Sequence, residues 1–197
     1  MGKKFRTIDI VLAGMFAALM AVGANLTSWL PFLQVANVPL SMAPFFCVLA
    51  GLLLGSRLAA FSMIVYALIG AAGAPVFAGF SSGFGVILGQ TGGFILSYII
   101  AAYAAGKIIE WNKDPKPPAF IAASFAGILI IYLFGTTYMY AVLNYVLSTK
   151  LSYLAAWQIM AWFAVKDIVF TVFAGAIAPR IYKQVKKGSG SMTRRAA

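Results

Sequence analysis

Histidine is absent from the 197 residues, and cysteine occurs once, at Cys47. The first absence excludes Ser-His and Cys-His catalysis and every histidine-based metal site. The second excludes an internal disulfide and a cysteine metal cluster. Cys47 lies inside an apolar run and reads as a small core hydrophobe. Acid is nearly absent too: Asp9, Glu110, Asp114 and Asp167 are the whole supply. Of these only Asp167 sits in a long apolar stretch, which leaves no basis for paired-carboxylate chemistry. No Gly-x-x-x-x-Gly-Lys-Ser/Thr run is present, so an ATP-driven task would need a partner to supply the ATP.

What remains is apolar. Hydrophobic residues make up 62% of the chain and charged residues 10%, against about a quarter charged in an ordinary soluble domain. A chain of this size cannot hide that much apolar surface in one globule, so lipid is its expected solvent. A soluble enzyme, a disordered chain and a secreted disulfide scaffold are excluded on the same ground.

The apolar pattern divides into six candidate membrane spans in a single integral-membrane domain. They cover about Ile8–Trp29, Leu40–Leu54, Arg57–Ala72, Val86–Ile109, Ala119–Leu147 and Tyr153–Ile181. The second and third are short, and Gly55-Ser56 between them suits a tight helical hairpin. Period-two alternation is missing, which disfavours a membrane β-barrel. The first span follows Lys3, Lys4 and Arg6 but is read as a retained helix, because five comparable segments succeed it. The segment Asn112–Pro118 reads as an exposed connector and the Gly/Ser-containing residues 186–197 as a flexible basic tail.

Charge placement orients the bundle. With both termini in the cytoplasm, 13 of the 15 basic residues fall inside, Lys150 falls outside and Lys166 lies within a span. That asymmetry matches the positive-inside rule and an even number of spans in a multi-pass protein of the cytoplasmic membrane. The basic excess is then a lipid-facing feature, and no nucleic-acid partner is expected.

Two regions stand out as candidates for function. The outer loop Gly73–Gly85 carries no charge, and seven glycines lie from Gly73 to Gly93. Glycine lets backbone approach a ligand closely. The functional reading is a lid over an outward pocket, with Phe77, Phe80 and Phe84 covering an apolar ligand. The plain alternative is a loop whose aromatics dip into lipid. Lys166 and Asp167, near the middle of the last span, are the second region. Each costs roughly 2.5–3.5 kcal/mol there on insertion scales. Adjacent helical residues point about 100° apart, so an ion pair between them is not expected, and at least one should meet another partner. They either line a polar solute site, or pair with other helices or snorkel.

Thr137, Tyr140 and Asn144 share one face of the fifth span, and Gln158, Trp162 and Lys166 share one face of the sixth. A pocket between those faces is expected. Ala13, Ala17 and Ala21 form a small-residue ridge on the first span, suited to internal packing or to docking a partner.

Several motifs in order then resemble one family. They are Val38-Pro39-Leu40-Ser41, Leu49-Ala50-Gly51-Leu52-Leu53-Leu54-Gly55-Ser56-Arg57, Pro75-Val76-Phe77-Ala78-Gly79 and Gly89-Gln90-Thr91-Gly92-Gly93-Phe94. Together they are similar to the successive signatures of BioY, the biotin-binding S component of energy-coupling factor transporters. The resemblance implies an all-α, six-helix S-component bundle that captures biotin from outside and imports it. It also implies a transmembrane T component and two ATP-binding-cassette ATPases as partners, with no cofactor, no metal and no catalytic role for this chain. The Ala13/Ala17/Ala21 ridge is similar to the surface on which S components dock.

The pattern departs at four places. Ser41 and Ala43 stand where Thr-x-Gln is common, Gln90 replaces a common proline, and Phe170 occupies a position where a lysine follows the aspartate by three. Lys166 precedes Asp167 instead. Set against biotin, Asp167 fits the ureido N–H groups. Asn144, Ser81, Ser82 or Thr91 fit the ureido carbonyl, and Lys166 or glycine-rich backbone fits the carboxylate. Phe77 and Phe80 fit the fused rings, with Tyr140 and Gln90 completing the candidate set. The competing readings are an S component for another vitamin such as riboflavin or thiamine, a membrane-embedded enzyme, and an assembly subunit without a solute site.

Overall fold

A computed structural model of the chain describes residues 7–28, 34–35, 38–39, 41–112 and 114–195, with backbone alone at 34–35, 38–39 and 185–195. Seven helices stand among the described residues: α1 Thr7–Asn25, α2 Ala43–Leu54, α3 Ser56–Ala71, α4 Phe84–Leu88, α5 Gly92–Trp111, α6 Pro117–Ala141 and α7 Tyr153–Arg195. A π-helical turn, Val142–Val146, extends α6. The only paired strands among the described residues are β1 Gln34–Val35 and β2 Val38–Pro39, a two-residue antiparallel ladder. Most of the first outer loop, and Lys3, Lys4, Arg6 and Lys113, lie outside the described residues.

Four helical stretches are long and apolar enough to cross a membrane: α1, α5, α6 through Val146, and α7 through Gln184. The helices α2 and α3 are apolar but short. At 1.5 Å per residue the 12 residues of α2 rise only about 18 Å, well below a bilayer core of about 30 Å.

Local sequence explains where these elements start and stop. Proline stands in the first turn of α2 and of α6, where its missing N–H has no helical partner to lose. Gly55 ends α2 and begins α3 with φ 81°, a left-handed conformation that a side chain resists. The carboxylate of Glu110, at the far end of α5, then caps α3. It accepts bonds from Ser56 N–H and Ser56 Oγ, each at 2.7 Å. Gly106 makes that approach possible, since a Cβ there would lie 2.6 Å from the Gly55 carbonyl carbon and 2.7 Å from Ser56 Cα.

Two expectations change. The fourth predicted span does not begin as one helix at Val86, because the chain breaks at Gly89–Thr91 between α4 and α5. Tyr138 Oη holds the turn by donating to Ile87 O at 3.1 Å. The backbone from Lys186 to Arg195 continues as α7, where the sequence suggests a separate tail. Isolated glycines cost a helix only about 1 kcal/mol each, and basic residues suit its C-terminal end.

The core runs between α2, α3, α5 and α6, and includes fully buried Cys47, Met63, Ala102 and Ile131. Cys47 behaves as the core hydrophobe its context predicts, with Sγ 3.3 Å from Tyr98 O.

Candidate functional site

A cavity of about 350 Å³ opens among the helices, at the end of the bundle that carries the 72–91 loop and the 147–152 turn. That volume lies in the range of about 300–1,000 Å³ typical of small-molecule sites. Its walls are mainly apolar: Ile131 and Met139 from α6, and Ile159, Met160 and Phe163 from α7. Phe77 and Ala78 border it from the loop. Gln90, Thr91 and Thr149 supply polar groups from the connecting segments.

The strongest electrostatic feature is Lys166 with Asp167. Asp167 is 3% exposed, so its carboxylate must be compensated by protein. Tyr132 Oη of α6 donates to Asp167 Oδ2 at 2.6 Å. Lys166 Nζ lies 2.8 Å from Oδ1. Nζ also donates to the backbone carbonyl of Ser41 just before α2. Thr171 Oγ1 donates to Asp167 O at 2.6 Å. Apart from the ion pair, Oδ1 has no hydrogen-bond partner among the described residues. Lys166, Asp167 and Tyr132 all border the cavity, so the wall of a mainly apolar chamber carries a compact polar group.

This arrangement corrects the expectation that the two neighbours would not pair. Their backbones do diverge, but the four-carbon lysine stem bends its ammonium back onto the adjacent carboxylate. The companion expectation holds, because each also meets another element: Asp167 meets α6 and Lys166 meets Ser41.

The predicted residues divide. Asp167, Lys166, Phe77, Gln90 and Thr91 border the cavity. Phe80 and Phe84 do not, being 49% and 64% exposed. Ser81 is spent on its own turn, donating to Ala78 O at 2.8 Å, and Ser82 is exposed. Asn144 is a turn residue: its Nδ2 donates to Tyr140 O at 3.1 Å and Leu151 O at 2.9 Å. The Tyr140 ring packs edge-on against Tyr153, with centroids 5.3 Å apart. Thr137 Oγ1 pairs with Tyr153 Oη at an exposed position. On α7, Trp162 is 72% exposed and Gln158 is exposed, so the inward face is Ile159, Met160 and Phe163 instead.

The alanine ridge on α1 also changes meaning. Ala13 and Ala17 are buried within the chain, and Ser62 Oγ of α3 donates to Ala13 O at 2.7 Å. That ridge is internal packing. The small residues left exposed are Gly14 and Ala18, one position further on. Sequence reasoning missed Tyr132, Tyr66 and Asn25 altogether; each is a polar residue in a helix whose partner comes from a distant segment.

Comparison with known proteins places this architecture. The BioY family model matches residues 1–187. The BioYB protein of Bacillus subtilis is 57% identical over 188 residues, covering 95% of this chain and 94% of the relative. The biotin transporter BioY of Thermotoga maritima is 33% identical over 176 residues, covering 89% and 96% of the two chains. The crystal structure of an S-component for biotin from an ECF-type ABC transporter superposes with a TM-score of 0.76 at 16% identity. That alignment spans 91% of this chain and 95% of the other, and it shows a shared fold. The chain belongs to the BioY family.

Proposed function

We propose that this chain captures biotin from outside the cell and delivers it across the cytoplasmic membrane as an S component. The observation that carries the reading is the mainly apolar cavity with Tyr132, Asp167 and Lys166 joined in its wall, in a chain of the BioY family. The relatives' names as biotin transporters support import rather than turnover.

Biotin's ureido ring offers two N–H donors, its fused rings are apolar, and its tail ends in a carboxylate. Asp167 Oδ1 is the carboxylate oxygen not already engaged by Tyr132, and it receives a ureido N–H. The fused rings then lie against Met139, Met160 and Phe163 under Phe77. Lys166 shares Asp167's end of the cavity, so it cannot also hold the carboxylate at the other end of an extended ligand. The carboxylate points toward Gln90 and Thr91, since the Thr149 hydroxyl nearby is already donated to Leu143 O at 2.9 Å. Lys166 serves to balance Asp167.

Six helical crossings with both termini in the cytoplasm complete the reading. The four long apolar stretches account for four crossings, and the short α2 and α3 hairpin for two, with thin ends reached by neighbouring loops. Lys107, Lys116, Arg180 and Lys183 then meet the inner headgroups, as the positive-inside rule requires. A T component and two ATPases drive the transport step, with the exposed Gly14/Ala18 face of α1 available for docking.

Calorimetric titration of biotin into the purified chain in detergent tests the proposal, with riboflavin and thiamine as controls. One-site saturable binding of biotin alone is the expected result. Binding of a control vitamin, or of none, by monodisperse folded protein would overturn it. Biotin methyl ester and desthiobiotin resolve orientation, since the first alters only the carboxylate end and the second removes sulfur from the ring.

A further inference from the structure

Asn25 never touches the cavity, yet it holds the segment that does. It is the last residue of α1 and is 5% exposed. Its Nδ2 donates to Ala21 O at 3.0 Å on its own helix and to Val76 O at 3.2 Å across the chain. Its Oδ1 accepts from Phe80 N–H at 2.6 Å. One amide therefore grips the 76–80 turn on both sides of Phe77. Other bonds hold the turn as well. Phe77 N–H donates to Ser81 O at 3.1 Å, and Ser28 Oγ accepts from Gly79 N–H at 3.2 Å. Phe80 takes φ 54°, which a bulky side chain seldom adopts unless its surroundings impose it.

The third helix supplies a matching socket. Tyr66 Oη donates to the same Val76 O at 3.2 Å. Its ring meets Phe77 edge-on, with centroids 5.5 Å apart at 80°. Gly70 faces the Phe77 ring directly, and a Cβ there would overlap it. Phe77 is 1% exposed and borders the cavity. The aromatic is thus seated by α3 and pinned by α1.

We propose that Asn25 is a positioning residue that latches Phe77 as the roof of the cavity, and that releasing its two grips on Val76 and Phe80 opens the exit for ligand. The idea rests on the reading of this cavity as the capture site. A latch of this kind acts on residence time: while the amide holds both backbone groups, the roof stays seated. When it lets go, Val76 O keeps the bond from Tyr66 Oη, whereas Phe80 N–H loses the Asn25 acceptor that ties the far side of the turn to α1.

Two readouts separate this idea from the ligand assignment. The first is the dissociation rate of radiolabelled biotin, chased with excess unlabelled biotin, from the wild type and from Asn25→Ala, Asn25→Asp and Gly70→Ala. The second uses no ligand. Ala43 is 1% exposed and borders the cavity. Ala43→Cys in a Cys47→Ala background reports how often a maleimide reaches the chamber.

Asn25→Ala and Gly70→Ala should each speed dissociation about tenfold or more, while association changes by less than about threefold. Asn25→Asp keeps an acceptor for Phe80 N–H and should fall between wild type and Asn25→Ala. Alkylation at Ala43→Cys should accelerate in the same order. A merely structural asparagine would lower the melting temperature while leaving dissociation and alkylation within about twofold of wild type; that result overturns the proposal. If Asn25→Ala fails to fold, Asn25→Asp and Gly70→Ala carry the same comparison. If wild type binds no biotin, the ligand assignment fails, and the alkylation series still decides for or against the latch.

Discussion

Tyr132 and Asp167 meet across α6 and α7 with the phenol donating to Oδ2 at 2.6 Å, and both residues are buried. The contact assigns one carboxylate oxygen to Tyr132 and leaves the other, itself buried, paired with Lys166. A hydrogen bond to a buried charge contributes about 1.5–3 kcal/mol. Tyr132→Phe should lower the stability of the ligand-free protein by that amount and weaken biotin binding, because Asp167 loses its fixed orientation. Thermal denaturation and titration calorimetry on the same sample check both. Unchanged affinity would remove Tyr132 from the binding apparatus.

Breaking the Lys166–Asp167 pair should cost more than deleting it. Removing one partner strands a buried charge, at about 3–5 kcal/mol, whereas neutralising both often costs little. Lys166→Met alone and Asp167→Asn alone should therefore be much less stable than the double variant. The double variant should regain most of the stability without regaining biotin affinity. Recovery of affinity along with stability would show that the pair serves only the fold.

At the opposite end of the bundle, Gly106→Ala should be destabilising by about 1–3 kcal/mol, because the new methyl meets rigid backbone at Gly55 and Ser56. Glu110→Ala should cost about 0.5–2 kcal/mol through loss of the α3 cap. Neither residue borders the cavity. Melting temperature should fall in both while the biotin dissociation constant stays within about twofold, since such distant sites behave independently.

Two neighbouring alanines should respond in opposite ways to the same substitution. Ala17 is 4% exposed and Ala18 is exposed. Ala18→Trp should fold and bind biotin as wild type but fail to co-purify with a T component. Ala17→Trp should overpack the α1–α3 contact and destabilise the isolated chain by about 1–3 kcal/mol. Normal assembly by Ala18→Trp would move the docking surface off this face of α1.

These contrasts mark how far the sequence could be read. Helical segments were legible because each is a long apolar run punctuated by glycine, proline or charge, and the Gly55-Ser56 turn fell where expected. The break at Gly89–Thr91 was not, because its cause is distant: Tyr138 and the Ile87 carbonyl meet only after folding. The ridge on α1 was visible as a type but not as a direction. Ala13–Ala17 and Gly14–Ala18 differ by a single step of the helix, and α1 is apolar on every side. Thr137, Tyr140 and Asn144 kept helical spacing, but near the π-turn that ends α6 the first two turn to Tyr153 and Asn144 serves the backbone. Lys166 and Asp167 were legible as a site because unexplained charge in an apolar helix needs compensation, whatever geometry supplies it.

The closeness of that pair has an electrical consequence. Opposite charges 2.8 Å apart form a local dipole with no net charge. If the cavity changes sides during import, the empty protein moves almost nothing through the membrane field on its way back. The loaded protein moves the ligand's carboxylate. Carrying one negative charge inward against an inside-negative potential costs roughly 2.3 kcal/mol per 100 mV. The voltage thus opposes the loaded stroke and spares the return.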